Sequence, residues 1–303
     1  MNKDESTNQE FLFDVGDGHR LHIIDWGNKN AKTPIIFLHG GPGGGIKDRH
    51  KGSFDPAIHR VIFFDQRGCG KSMPYGSLEN NTTDDLAKDI TKIAEHLRIE
   101  KFWLHGYSWG STLALYYAIT YPKKLAGIVI GGVFSYSKKE IESMYDNAKT
   151  FYPDLWQKVL DDTPKDYLSN PTKYHIDTAL NGTTSEQKRS TYIMDYLESN
   201  LCDFDDRGQL EDFEEYDPSG MQIELYYLAN NGFIPEDYIA DNAIKIKCPV
   251  HIVQGRFDMV CPPDFAYKVS KIIPNVKLYW AISNHKPDHE ITTVFRAIFN
   301  GLE

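Results

Sequence analysis

The chain has 303 residues, of which 41% are hydrophobic and 25% charged, and a formal net charge of −10. Such a composition supplies a large core and argues against general disorder, and the negative balance argues against nucleic-acid binding through a basic footprint. No apolar run approaches the roughly 20 residues that cross a bilayer, and the opening MNKDESTNQE lacks the apolar stretch of a secretory signal.

In chain order, β-branched and apolar runs predict strands at Arg20–Trp26, Pro34–His39, Arg60–Asp65, Lys101–Gly106 and Leu125–Ile130. Between them, Leu86, Ile90, Ile93, Ala94 and Leu97 fall at helical spacing. Thr83, with Asp84 and Asp85, is the expected N-cap and acidic first turn. Residues 135–245 change character, being rich in Tyr, Asp and Glu with short helical patterns. They hold ten Lys/Arg against 23 Asp/Glu, a net of −13, whereas the rest of the chain is at +3. Strands return at Pro249–Gly255 and Val276–Ile282, with a helical pattern at Asp264–Ile273. Strands separated by helices of this length imply a mostly parallel sheet. The expected organisation is one α/β domain, 1–134 with 246–303, interrupted by a helical cap at 135–245. Cys69, Cys202, Cys248 and Cys261 form no CxxC pair and read as free thiols of a reducing compartment, giving a cytoplasmic expectation.

Gly106-Tyr107-Ser108-Trp109-Gly110 fits G-x-S-x-G, with a strand before it and a helical pattern after it. This is the nucleophile-elbow context, in which a tight strand-to-helix turn exposes the serine hydroxyl at the top of the sheet. His39-Gly40-Gly41-Pro42-Gly43-Gly44-Gly45 follows another strand and can bring a backbone N–H to an oxyanion. Gly41 and Trp109 N–H are the two candidate donors. A phosphate-binding loop competes for this glycine run, but neither G-x-G-x-x-G nor the Walker spacing is met. Gly70-Lys71-Ser72 resembles a Walker tail with Asp65 where the first Gly belongs.

A serine nucleophile needs a base and an orienting acid, here in the chain order Ser, Asp/Glu, His. Asp258 follows one late strand and His285 follows the next, at the sheet edge where such sites form. His289 is a rival base, four residues on. A His285/His289 metal pair lacks a third ligand, and no metal or other cofactor is called for.

These motifs together resemble the proline iminopeptidase (prolyl aminopeptidase) family of α/β-hydrolase serine peptidases. The match is carried by Phe37 to Gly44, Phe54-Asp55-Pro56, Asp65 to Ser72, Asn81-Thr82-Thr83, Ser108 to Leu115 and Gly255 to Pro262. The resemblance implies an α/β-hydrolase fold, with a mostly parallel eight-stranded sheet and an inserted helical cap. It also implies a Ser108–Asp258–His285 triad and release of N-terminal proline from small peptides with a free N-terminus. Acidic cap residues of the family hold the substrate amine. One maps onto Glu224 in Gln222-Ile223-Glu224-Leu225-Tyr226-Tyr227. The other ends a Trp-x-x-Trp-Glu motif absent here, for which Glu198 in Met194-Asp195-Tyr196-Leu197-Glu198 is the nearest shape. Tyr107 and Lys286 stand where the family has small residues.

Tyr227, with Tyr192, Tyr196, Tyr226 and Phe233, could line an apolar proline subsite, although core packing accounts for the same residues. The acids between Cys202 and Asp217 read as a solvated loop. Two alternatives stay open: a carboxylesterase or lactonase on the same core without an amine site, and a non-catalytic ligand receptor, which would need a disabled triad.

Overall fold

The structure is a computed structural model and describes residues 8–203 and 212–302; Asp205, Asp206 and Glu211 of the acidic run and the first seven residues lie outside them. Eight strands form one sheet: β1 (Gln9–Gly16), β2 (His19–Gly27), β3 (Ile35–Leu38), β4 (Arg60–Phe64), β5 (Phe102–Tyr107), β6 (Leu125–Gly131), β7 (Val250–Gly255) and β8 (Val276–Ala281). Their order is β1-β2-β4-β3-β5-β6-β7-β8. The β1–β2 and β2–β4 pairs are antiparallel and every other pair is parallel. The helices are α1 (Thr83–His96), α2 (Trp109–Thr120), α3 (Lys138–Phe151), α4 (Pro153–Asp161), α5 (Pro171–Asn181), α6 (Thr184–Cys202), α7 (Ser219–Ala229), α8 (Tyr238–Asn242), α9 (Pro263–Ile272) and α10 (His289–Asn300).

The seven strands expected from apolar runs are present, and β1 is the addition. Its apolar run is only Phe11 to Phe13, between polar residues, and Leu12 within it is exposed, so the pattern is too short to mark a strand. Phe11, Phe13 and Val15 pack on α1, with the Phe13 ring 4.3 Å from that of His96. The helix before β5 starts one residue earlier than expected. Thr82, not Thr83, is its N-cap, accepting from Asp85 N while the Asp85 carboxylate accepts from Thr82 N. The Thr83 hydroxyl instead donates to the Gly232 carbonyl, tying α1 to the segment that follows α7.

Strands β3 to β6 are apolar on both faces because both are covered. One face packs on α1 and α2 through Ile36, Ile62, Leu104 and Leu113. The other packs on α10 through Phe37, Phe63, Val129, Phe295 and Phe299. Parallel pairing puts the C-terminal ends of β3, β5, β7 and β8 on one edge, so the loops after them meet there.

Between β6 and β7 the described chain is helical, and it lies over that edge. A Cβ on Gly43 would sit 2.2 Å from the Gly220 carbonyl oxygen, so the glycine-rich loop touches the start of α7 backbone to backbone. Asn284 Nδ2 donates to the Leu201 carbonyl (2.9 Å) and Lys286 N to the Cys202 carbonyl (2.8 Å), which fastens α6 to the loop after β8. All four cysteines are free, and no described helix is long and apolar enough to cross a membrane.

Candidate active site

Ser108 joins β5 to α2 with φ 56° and ψ −126°, a left-handed conformation that costs energy for a side chain with a Cβ. Packing forces it. A Cβ on Gly106 would lie 2.1 Å from the Gly110 carbonyl oxygen, and one on Gly110 would lie 2.2 Å from that of Leu38. Only glycine fits on either side of the crossing. The hydroxyl lies 3.0 Å from His285 Nε2. On the far side of the ring, His285 Nδ1 is 3.0 Å from each Asp258 oxygen. Asp258, Ser108 and His285 therefore stand in one hydrogen-bonded chain, although 177 residues separate the serine from the histidine.

Two residues that motif reading passed over hold this chain in place. Gln254 Nε2 donates to Asp258 Oδ2 (3.1 Å) and its Oε1 accepts from Val133 N (2.9 Å). Asn284 Oδ1 accepts from both His285 N (2.8 Å) and Met259 N (3.2 Å), locking the acid and base loops together. Each is a polar residue buried beside a strand end, which was the one signal available. The backbone N–H groups of Val260 and Cys261 also donate to Asp258 Oδ1, at 3.1 and 2.7 Å.

Burial disfavours the imidazolium of His285, yet the charge and hydrogen bond of Asp258, with the charge of Glu198, outweigh it and raise the pKa above the ordinary value. The Lys286 ammonium pairs with Asp203 at 2.7 Å. His289 opens α10, is exposed, and is not in the hydrogen-bonded chain. Asp258, Cys261 and His285 are the one group of donors among the described residues that could hold a metal ion, and His289 is outside it. Asp258 and His285 are already engaged with each other, and burial pushes the Cys261 thiol well above its usual range.

Gly41 and Ser108 line one cavity of about 670 Å³, which also reaches Tyr107, Glu198 and His285. Among the described residues neither the Gly41 nor the Trp109 N–H is taken up by a protein acceptor, so both can serve an oxyanion. Gln66 links the two segments that carry them: its Nε2 donates to the His39 carbonyl (2.9 Å) and its Oε1 accepts from Trp109 Nε1 (2.8 Å). The Walker-like tail has another use. Ser72 donates its hydroxyl to the Asp65 carbonyl (2.6 Å) and Lys71 pairs with Glu10 (2.8 Å).

The side chains of Glu198 on α6 and Glu224 on α7 are neighbours, each carboxyl acting on the other. Burial raises both carboxyls. Glu224 rises well above the usual range, because the neighbouring Glu198 charge adds to burial. Tyr227 is a correction. It is fully buried, its hydroxyl donates to Asn81 Oδ1 (3.1 Å) and its ring packs edge-on against Trp109 at 4.8 Å. It lies under the elbow and not on the cavity wall, because odd positions 221 to 227 of α7 face inward while Glu224 falls between them. Tyr107 does reach the cavity, its ring 5.5 Å from that of His285.

A serine elbow on a mostly parallel sheet, completed by Asp and His from later strand ends, defines an α/β hydrolase, and residues 33–285 match the family described as alpha/beta hydrolase fold. The proline iminopeptidase of Arabidopsis thaliana is 37% identical over 275 residues, covering 87% of this chain and 71% of that protein. That of Neisseria gonorrhoeae is 35% identical over 282 residues, covering 89% and 88%. The chain belongs to the proline iminopeptidase family of α/β hydrolases. Among solved structures, proline iminopeptidase from Mycobacterium smegmatis superposes with a TM-score of 0.62 at 20% identity, covering 96% of each chain. A thermophilic esterase from Thermogutta terrifontis gives 0.61 at 20% identity, covering 96% of this chain and 97% of its own. At such identities both report the fold alone.

Proposed function

We propose that this protein is a serine aminopeptidase that removes N-terminal proline from small peptides through an acyl-enzyme. The observation that carries this reading is the meeting of two assemblies at one edge of the sheet. One is the Ser108–His285–Asp258 chain. The other is the Glu198–Glu224 pair, whose Glu198 charge is felt at His285.

His285 Nε2 takes the Ser108 proton as Oγ bonds to the prolyl carbonyl carbon, and the oxyanion turns to the Gly41 and Trp109 N–H groups. The C–N bond then breaks as His285 returns the proton to the leaving amine. Water, deprotonated by the same nitrogen, attacks the acyl-enzyme, releases proline and restores Ser108. Asp258 keeps Nδ1 protonated and stabilises the imidazolium.

Glu198 and Glu224, carried by the cap at 135–245, hold the proline amine. A protonated secondary amine donates two hydrogen bonds, and a carboxylate pair accepts both with charge assistance. An ester hydrolase has no use for that pair, and a ligand receptor has none for an intact proton relay. Glu224→Gln should lower kcat/KM for prolyl substrates about 10- to 100-fold, the worth of a hydrogen bond to a charged group at ~1.5–3 kcal/mol. Hydrolysis of a simple acetate ester should be nearly untouched. Equal loss on both substrates, or on neither, would remove Glu224 from amine recognition.

A further inference from the structure

The cavity that holds Ser108 is larger than one prolyl residue requires. At about 670 Å³ it falls among pockets that enclose whole drug-sized ligands, so the peptide beyond the scissile bond has room inside it. Its lining includes the acids Glu198, Asp203 and Asp288, and its Lys and Arg residues are of two kinds. Lys286 is paired with Asp203 (2.7 Å), and Arg296 donates to the Gly52 carbonyl (2.5 Å). Lys47 and Arg49, at the rim, have no carboxylate partner among the described residues. Asp48 between them is held by Lys51 at 2.8 Å. The nearby acid of α6, Asp195, accepts from the Tyr216 hydroxyl (3.0 Å) and from that of Ser199 (3.1 Å), and its charge is felt at Lys47.

Lys47 and Arg49 are both exposed at the cavity rim, on a segment whose start is anchored. Ile46 N donates to Asp65 Oδ1 (2.6 Å), which anchors the chain between the glycine-rich loop and Lys47. Burial, with the charge of Arg49 beside it, lowers the Lys47 pKa, the mark of a cation short of a counter-charge. Two cations on one cavity, one of them a guanidinium with its planar fork of donors, suit a carboxylate.

We propose that Lys47 and Arg49 bind the free α-carboxylate of the substrate, so that this enzyme is selective for very short prolyl peptides with both termini free, dipeptides foremost. This rests on the aminopeptidase reading above and adds the second end of the substrate to it. An extended dipeptide spans at most roughly 7 Å, so a site that grips amine and carboxylate together measures substrate length.

The test compares Pro-Ala with Pro-Ala amide, identical except for the terminal charge, and reads the ratio of their kcat/KM values within one enzyme preparation. The ratio should be about ten in the wild type at low salt and should fall as ionic strength rises. In Lys47→Gln/Arg49→Gln it should approach one. A wild-type ratio near one overturns the proposal without recourse to any variant, and so does a ratio that survives the double substitution. If the wild type cleaves neither peptide but does cleave an ester, the aminopeptidase reading falls, and this site with it.

Discussion

Ser108 holds φ 56° because glycines at 106 and 110 let β5, α2 and the end of β3 approach within backbone contact. A methyl at 110 would lie 2.2 Å from the Leu38 carbonyl oxygen, a distance that no side-chain rotation relieves. Gly110→Ala should therefore lose at least about 3 kcal/mol of stability together with its activity, measured by denaturant unfolding beside an ester assay. A stable, active Gly110→Ala protein would show that the elbow is not so constrained. The pKa of His285 gives a second test at this scale. Neutral imidazole is the base, so activity falls as pH drops through its pKa, and a raised pKa places that limb above the ordinary value of 6.5. Glu198 contributes negative charge that favours the imidazolium. Glu198→Gln should move the acid limb of kcat/KM to lower pH, read on an acetate ester so that amine binding does not intrude. A limb that stays in place or moves upward would contradict the geometry. Ser108, His285 and Asp258, the proposed nucleophile, base and acid, were legible as residues because each follows a strand within a short local motif. Gln254 and Asn284 were not, since each also ties the site to a segment far off in sequence: Val133 for the one and Leu201 for the other.

Elements were legible in proportion to how continuous their apolar pattern is. Strands β3 to β7 are covered on both faces and announce themselves as runs, whereas β1 has only the short run Phe11 to Phe13 and is half exposed. The start of α1 was misread by one residue. Thr82 and Thr83 are equivalent in the sequence, and only the tertiary tie from Thr83 to Gly232 assigns them different tasks. Thr82→Ala should cost about 1 kcal/mol through loss of the capping box, seen as a fall in Tm of roughly 2 °C. Thr82→Ser should recover most of it. An unaffected Thr82→Ala would leave the cap without energetic weight. The same reasoning explains the mixed outcome in the helices between β6 and β7. On α7 the odd positions from Met221 to Tyr227 are buried, which draws Tyr227 under Trp109 and leaves Glu224 at the other set of positions. Aromatic abundance alone could not separate a subsite from a core. Glu198 sits on α6 with no Trp-x-x-Trp-Glu motif to mark it, and only the packing of α6 beside α7 brings it to Glu224.

Over the whole molecule, charge is divided by position. The segment 135–245 carries more than the entire net negative charge, and it lays Glu198 on the cavity that Ser108 and His285 line, with Glu224 next to it. Chain order, strand ends and glycine placement announce the hydrolase from the sequence, because they follow from the geometry of a parallel sheet. Specificity is less legible, because it depends on how a diverged helical segment sits on that sheet. Amine recognition is therefore the central claim, and a matched pair of substrates tests it most directly: a chromogenic proline amide and its N-acetylated twin, with Ser108→Ala as control. The account predicts strong cleavage of the free-amine compound, loss of at least a thousandfold in kcat/KM on N-acetylation, and no cleavage of either by Ser108→Ala. Equal cleavage of the two compounds, or cleavage confined to simple esters, would contradict it.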